Sequence, residues 1–154
     1  MASFDIRNPE LVLAQFPDNR MYTNTIMKLQ VLDPYELILP KTVLEGSSMP
    51  QLYHQLRQEI PLTEVVSLPR KLFSENAGIQ CIRNLCVPEY SSVETEVVNK
   101  FYALSATAAL IHYVEVMQNI ACTAHSVKVT FSTGDGVARI GRGHCFMSSH
   151  RSLH

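Results

Sequence analysis

The sequence predicts an α/β domain: a mixed sheet, built of an antiparallel hairpin plus parallel strands, with flanking helices and one long helix toward the C-terminus. Three observations predict it. Two alternating segments, residues 2–6 and 10–16, flank Arg7-Asn8-Pro9, where Asn tolerates unusual backbone angles and Pro presets φ. Short apolar runs then alternate with segments of helical period, as when crossover helices join parallel strands. Residues 91–119 contain neither Pro nor Gly, so nothing there breaks a long helix.

Taken in order, Phe4 and Ile6 share one face of the first strand, and Leu11 and Leu13 alternate with Val12, Ala14 and Phe16 in the second. Pro17-Asp18-Asn19 ends the hairpin and offers a helix cap. Residues 19–31 follow, with Tyr22, Ile26 and Leu29 at helical spacing. Pro34 and Pro40 bracket Tyr-Glu-Leu-Ile-Leu, a run that suits a buried strand. Residues 43–49, with Gly46, Ser47 and Ser48, read as a loop. Pro50 opens a helix with Leu52, Leu56 and Ile60 inward, and Pro61 stops it. Residues 64–68 form another strand closed by Pro69. Residues 74–85 form a helix with Ile79, Ile82 and Leu85 inward, and Pro88 separates it from the long helix.

Ser91 is an N-cap for that long helix, and Glu94 completes a capping box. Val93, Val97, Phe101, Leu104, Ala108 and Ile111 form an apolar stripe. From Phe101 to Met117 the helix becomes apolar nearly all round, which means burial on more than one side. The run is short of the ~20 residues of a membrane span and holds His112 and Glu115. Small residues between Ala103 and Ala109 predict close approach of a neighbour. The rest of the chain is expected to cover only one side of this helix. The other side would then be a docking surface, and the isolated chain marginally stable or self-associating.

With 154 residues and 46% hydrophobic side chains, the chain can bury one real core. Its net charge of −1 gives no overall electrostatic footprint for nucleic acid. The charge is uneven, with nine Lys/Arg against thirteen Asp/Glu in residues 1–115, a balance of −4. Residues 116–154 hold Lys128, Arg139, Arg142 and Arg151 against Asp135, a balance of +3. The N-terminus lacks a basic stretch followed by an apolar run, so it is not a secretory signal. Cys81, Cys86, Cys122 and Cys145 form no C-x-x-C pair and are expected to be free thiols.

No residue is assigned a catalytic, cofactor-binding or metal-binding role. The glycines of residues 134–143 lack the Gly-Lys-Ser/Thr of a phosphate loop. His144, Cys145, His150 and His154 are ligand types without an ordered frame. Cys81 and Cys86 are five apart, so they do not share a helix face. His112 and Tyr113 have no nucleophile or carboxylate partner in view, and packing is their default. A hairpin followed by a mixed sheet also fits the RNase H-like class, whose nucleases hold two Mg²⁺ ions with carboxylates on neighbouring strand ends. Asp5, Glu36, Glu94 and Glu96 are the carboxylates such a nuclease would use. A third possibility is a small DNA-binding protein using the basic residues 128–154.

Three stretches carry a family resemblance: Phe4-Asp-Ile-Arg-Asn-Pro-Glu-Leu-Val-Leu-Ala-Gln-Phe16, Leu32-Asp-Pro-Tyr-Glu-Leu-Ile38, and Phe101 through Glu115 with Ala109-Leu-Ile-His-Tyr-Val-Glu115. In this order they resemble the connector domain of MutS-family proteins, most of all the meiotic members. The resemblance divides the chain into a connector-like domain at 1–120, a linker or extra strand at 121–140, and a disordered tail at 141–154. It implies an RNase H-like connector that joins DNA-contacting parts to an ATPase and is not an enzyme itself. ATP and Mg²⁺ would bind only in that ATPase domain, which has no counterpart in these 154 residues. The implied partners are DNA, through the full-length protein, and MutS homologue five as heterodimer partner. The implied location is nuclear, on chromosomes, with no membrane contact. The family's first strand, central in its sheet, has no counterpart before Ala2. Its slot is expected to be empty or refilled by residues 127–131, and the chain to be a truncated product or fragmentary gene model.

Overall fold

The computed structural model describes residues 1–45, 49–133 and 144–147. It is a mixed α/β fold. The hairpin is β1 (Ala2–Asp5) and β2 (Glu10–Ala14), paired antiparallel with Phe4 opposite Leu11. Next come α1 (Thr23–Leu32), β3 (Glu36–Pro40), α2 (Lys41–Glu45), α3 (Met49–Glu59) and β4 (Glu64–Leu68), with β3 and β4 parallel. Helices α4 (Glu75–Leu85), α5 (Val93–Val97) and α6 (Phe101–His112) follow, then β5 (Lys128–Ser132) and β6 (His144–Met147).

The sheet has two parts. On one side β5 lies parallel to β2 at the outer edge of the hairpin, and on the other stand β3 and β4. Between them β6 pairs antiparallel with β1 and parallel with β3, giving the order β4-β3-β6-β1-β2-β5. Side chains alternate across the strands. Ala2, Phe4, Leu11, Leu13 and Ile38 therefore face α4 and α6, while Met1, Leu37 and Leu39 face α1 and α3. Strand β3 is buried over its whole length, which explains its unbroken apolar run.

Several expectations are corrected. Residues 91–119 are not one helix: α5 stops at Val97, and α6 starts at Phe101 after Lys100, which leaves helical geometry at φ −97°, ψ 64°. Val97-Val98-Asn99 are weak helix formers, and α5 packs instead on β5 and α4. The capping box is absent. Ser91 is itself helical, and Glu94 pairs with Arg83. Residues 41–45 are helical, where a loop was expected from Val43; residues 46–48 lie outside the described residues. Residues 127–131 do not refill the central slot, because β5 is the outermost strand. Residues 144–147 fill it, within the stretch expected to be a disordered tail; the remainder of 141–154 lies outside the described residues.

From Ala103 to Ile111 every residue of α6 is buried. The chain supplies both sides, the sheet on one and α4 on the other. This overturns the expectation that one side lies bare. The close neighbour predicted from the small residues is α4. A Cβ added at Gly78 would meet the Leu104 carbonyl oxygen at 2.0 Å, so only glycine permits this approach. The buried hydroxyls Ser105 and Thr107 bond back to the carbonyls of Phe101 (2.8 Å) and Ala103 (2.9 Å).

Candidate functional site: an exposed apolar face at one end of the sheet

After His112 the helix widens into a π-helical turn, Tyr113–Met117. The Gln118 N–H reaches back to the Tyr113 carbonyl, and Asn119, at φ 54°, ends the helix. This turn carries Tyr113 inward, and its hydroxyl donates to Glu36 Oε1 at 2.8 Å in a buried contact. Gln118 Nε2 donates to the Tyr113 oxygen at 3.0 Å and reaches both carboxylate oxygens of Glu36 at 3.4–3.5 Å. A polar lock therefore fastens the end of the long helix to the first residue of β3.

Near that lock several large apolar side chains are exposed among polar neighbours such as Glu64, Glu115 and Gln118. Tyr35, one residue before β3, is 73% exposed; Leu62, just before β4, is 97% exposed; Val116 and Met117, on the π turn, are each 61% exposed. The Tyr35 carbonyl accepts from the Glu64 N–H at 3.1 Å, which brings the two strand entries together. The Tyr113–Glu36 bond places the π turn at the same end. Exposed apolar side chains at one end of a sheet suit a contact face better than a reactive centre.

The four carboxylates a nuclease would need are dispersed. Asp5 accepts from the backbone N–H groups of Arg7 (2.8 Å) and Asn8 (3.3 Å), closing the hairpin turn. Glu36 and Phe4 both stand opposite Cys145, so alternation puts Asp5 on the other face of the sheet from Glu36. Glu94 is ion-paired with Arg83 at 2.6 Å, and Glu96 is exposed. Among the described residues no three His, Cys, Asp or Glu side chains group as a metal site.

Cys81 and Cys122 are half-buried and Cys86 is buried. Cys81 and Cys122 line one cavity of about 230 Å³ with Glu115. Burial, and then the Glu115 charge, push both thiols above their ordinary pKa. Burial likewise raises Cys86. All three are free thiols, and the upward shifts favour the protonated form. A second cavity, of about 340 Å³, lies between α4 and residues 88–94 beside His125, whose Nδ1 is 3.1 Å from the Cys86 carbonyl oxygen. His112 is half-buried. The glycine segment and the histidines after Met147 lie outside the described residues.

Residues 1–125 match the family model for MutS domain II, the connector domain. The chain belongs to the MutS family. It is 36% identical over 140 residues to "MutS protein homolog 4" of Homo sapiens and 37% identical over 140 residues to the Mus musculus protein of the same name. Each of these alignments covers 91% of this chain. It is 29% identical over 135 residues, 86% of the chain, to "DNA mismatch repair protein MSH4" of Arabidopsis thaliana. The chain spans about 15% of the length of the human and mouse relatives and 17% of the plant one. The MutS match includes the hairpin, the lock and the long helix, and β6 lies beyond it. Among the described residues no helix is long and apolar enough to cross a membrane.

Sequence reasoning had singled out Glu36 and Tyr113 separately and missed their partnership. Gln118, Tyr35 and Leu62 were not singled out. The signal for the face was available in Leu62, an apolar residue between Pro61 and a strand, where turn residues are the rule.

Proposed function

We propose that this chain is a non-catalytic connector module of a MutS-type DNA-binding ATPase acting in meiotic recombination. It works by packing: a stiff helix locked to a sheet fixes the relative positions of neighbouring domains. The observation that carries this reading is the match of residues 1–125 to MutS domain II, joined to an apolar face at the end of the lock. The names of the relatives, MutS protein homolog 4 and DNA mismatch repair protein MSH4, support the wider role. That role is binding branched or mismatched DNA for crossover formation, with MutS homologue five as partner, on chromosomes in the nucleus. ATP and Mg²⁺ belong to the ATPase domain of such a protein.

An RNase H-like sheet fits this reading. Its supports are an antiparallel hairpin on one side of the central strand and a parallel pair on the other.

The test is domain replacement. Residues 1–125 take the place of the matching segment in the mouse relative, with and without Leu62→Glu and Val116→Glu. The unaltered graft is expected to keep salt-sensitive binding to branched DNA, and the double variant to lose roughly tenfold or more through misplacement of its neighbours. Equal binding by both grafts would refute the assignment of the face.

A further inference from the structure

We propose that Cys81 and Cys122 form a reversible disulfide, a modification site that clamps α4 to the segment leaving the long helix. The fold brings these two thiols together from different elements. Cys81 stands on α4, and Cys122 lies in the irregular stretch after the π turn. That stretch is held against α4 by its backbone. The His125 N–H donates to the Asn84 carbonyl and the Val127 N–H to the Leu85 carbonyl, both at 2.9 Å. Cys122 precedes His125 by three residues, as Cys81 precedes Asn84. Both cysteines line the cavity of about 230 Å³, with Leu85, Ile111 and Glu115 among its walls. A charge on Cys122 contributes to the upward shift of Cys81, so the two sulfurs are within electrostatic range of each other. Residues 119–125 belong to no helix or strand. Cys122 can therefore adjust to the sulfur separation of a disulfide without breaking a backbone ladder. Cys86 is placed differently: its thiol donates to the Val87 carbonyl at 3.4 Å, and it lines the separate cavity beside His125.

The surroundings of the pair suit a slow, stable modification. Burial and Glu115 disfavour the thiolate, which is the attacking form in exchange. The disulfide carries no charge, so the same surroundings do not oppose it. The oxidant is a small-molecule disulfide of the glutathione class. One protein thiolate attacks it, forms a mixed disulfide and releases one glutathione thiol. The other protein thiolate then displaces the second glutathione. Two protein thiols lose two electrons, the glutathione disulfide gains them, and the two protons leave on the released thiols. The new bond closes α5 and α6 into one covalent loop and fastens the end of the long helix beside the Tyr113–Glu36 lock.

The full chain, equilibrated with mixtures of reduced and oxidised glutathione, alkylated and peptide-mapped, tests this. A Cys81–Cys122 link within one chain is expected. Its effective concentration should be roughly tenfold or more above that of the same pair in urea, because the fold holds the thiols together. The oxidised chain should melt about 5 °C or more above the reduced one, and dithiothreitol should reverse the shift. Cys122→Ser should abolish the shift. Mixed glutathione disulfides at both positions with no link between them would overturn the proposal. So would a link between chains or to Cys145, a link formed no more readily in the folded chain than in urea, or an oxidised chain that melts no higher.

Discussion

The Tyr113 hydroxyl donates to the Glu36 carboxylate at 2.8 Å across 77 residues of sequence. This bond ties the π turn of the long helix to the start of β3, and with it the exposed face to the core. Tyr113→Phe removes the donor while keeping the ring. It should destabilise the chain by about 1–3 kcal/mol, the range for leaving a buried polar group without its partner. Urea unfolding checks this, and an unchanged midpoint would show that the lock is ornamental.

Gly78 sets the distance between α4 and α6. Gly78→Ala would improve helix propensity by about 1 kcal/mol at an open site. Here the new Cβ meets backbone at 2.0 Å, so a net loss of about 2–4 kcal/mol is expected. Gln80→Ala, at an exposed position of the same helix, should be neutral in the same thermal melts.

Asp18 caps α1 from a distance. Its carboxylate accepts from the backbone N–H groups of Asn24 (3.0 Å) and Thr25 (2.9 Å) and from the Thr25 hydroxyl (2.6 Å). Partial burial raises its pKa, but hydrogen bonds from Thr25, Asn24 and Asn19 outweigh this and hold it below the ordinary value. The folded state therefore favours the charged form. Its stabilisation is complete above the unfolded pKa near 4 and is lost as pH falls through the lower folded value. Asp18→Ala should cost about 1 kcal/mol at neutral pH and progressively less in acid.

The α-amino group of Met1 is buried and donates to the Ala14 carbonyl at 2.9 Å. Burial lowers its pKa from 8.0 to about 5. Between those values the unfolded chain binds the proton that the folded chain refuses, so stability rises with pH from about 5 to about 8. The total is on the order of 4 kcal/mol. Denaturation midpoints across that window, compared with an N-terminally acetylated chain, check this. The acetylated chain should lose this dependence.

Most of the fold was legible because its signals are local. The Asn8-Pro9 turn, the prolines around Tyr35–Leu39, and the apolar spacing of Leu52, Leu56 and Ile60 each report on a few neighbouring residues. The break at Val98–Lys100 was not legible, because tertiary packing of α5 outweighs an unbroken helical pattern. Neither was β6, since four residues among polar neighbours carry almost no period, and only the vacancy between β1 and β3 gives them a place. The candidate face was half legible. Apolar residues at the helix end were visible, but their placement at the same end of the sheet as Tyr35 and Leu62 depends on the Tyr113–Glu36 contact, which no local pattern encodes.

The central claim is that this MutS domain II module acts by docking through the end of its sheet. Amide hydrogen exchange tests it most directly, comparing the isolated chain with the same segment grafted into the mouse relative. Protection should rise roughly tenfold or more at residues 62–64 and 113–118 in the larger protein. Unchanged exchange at both segments, with new protection confined to the outer face of α4, would contradict it.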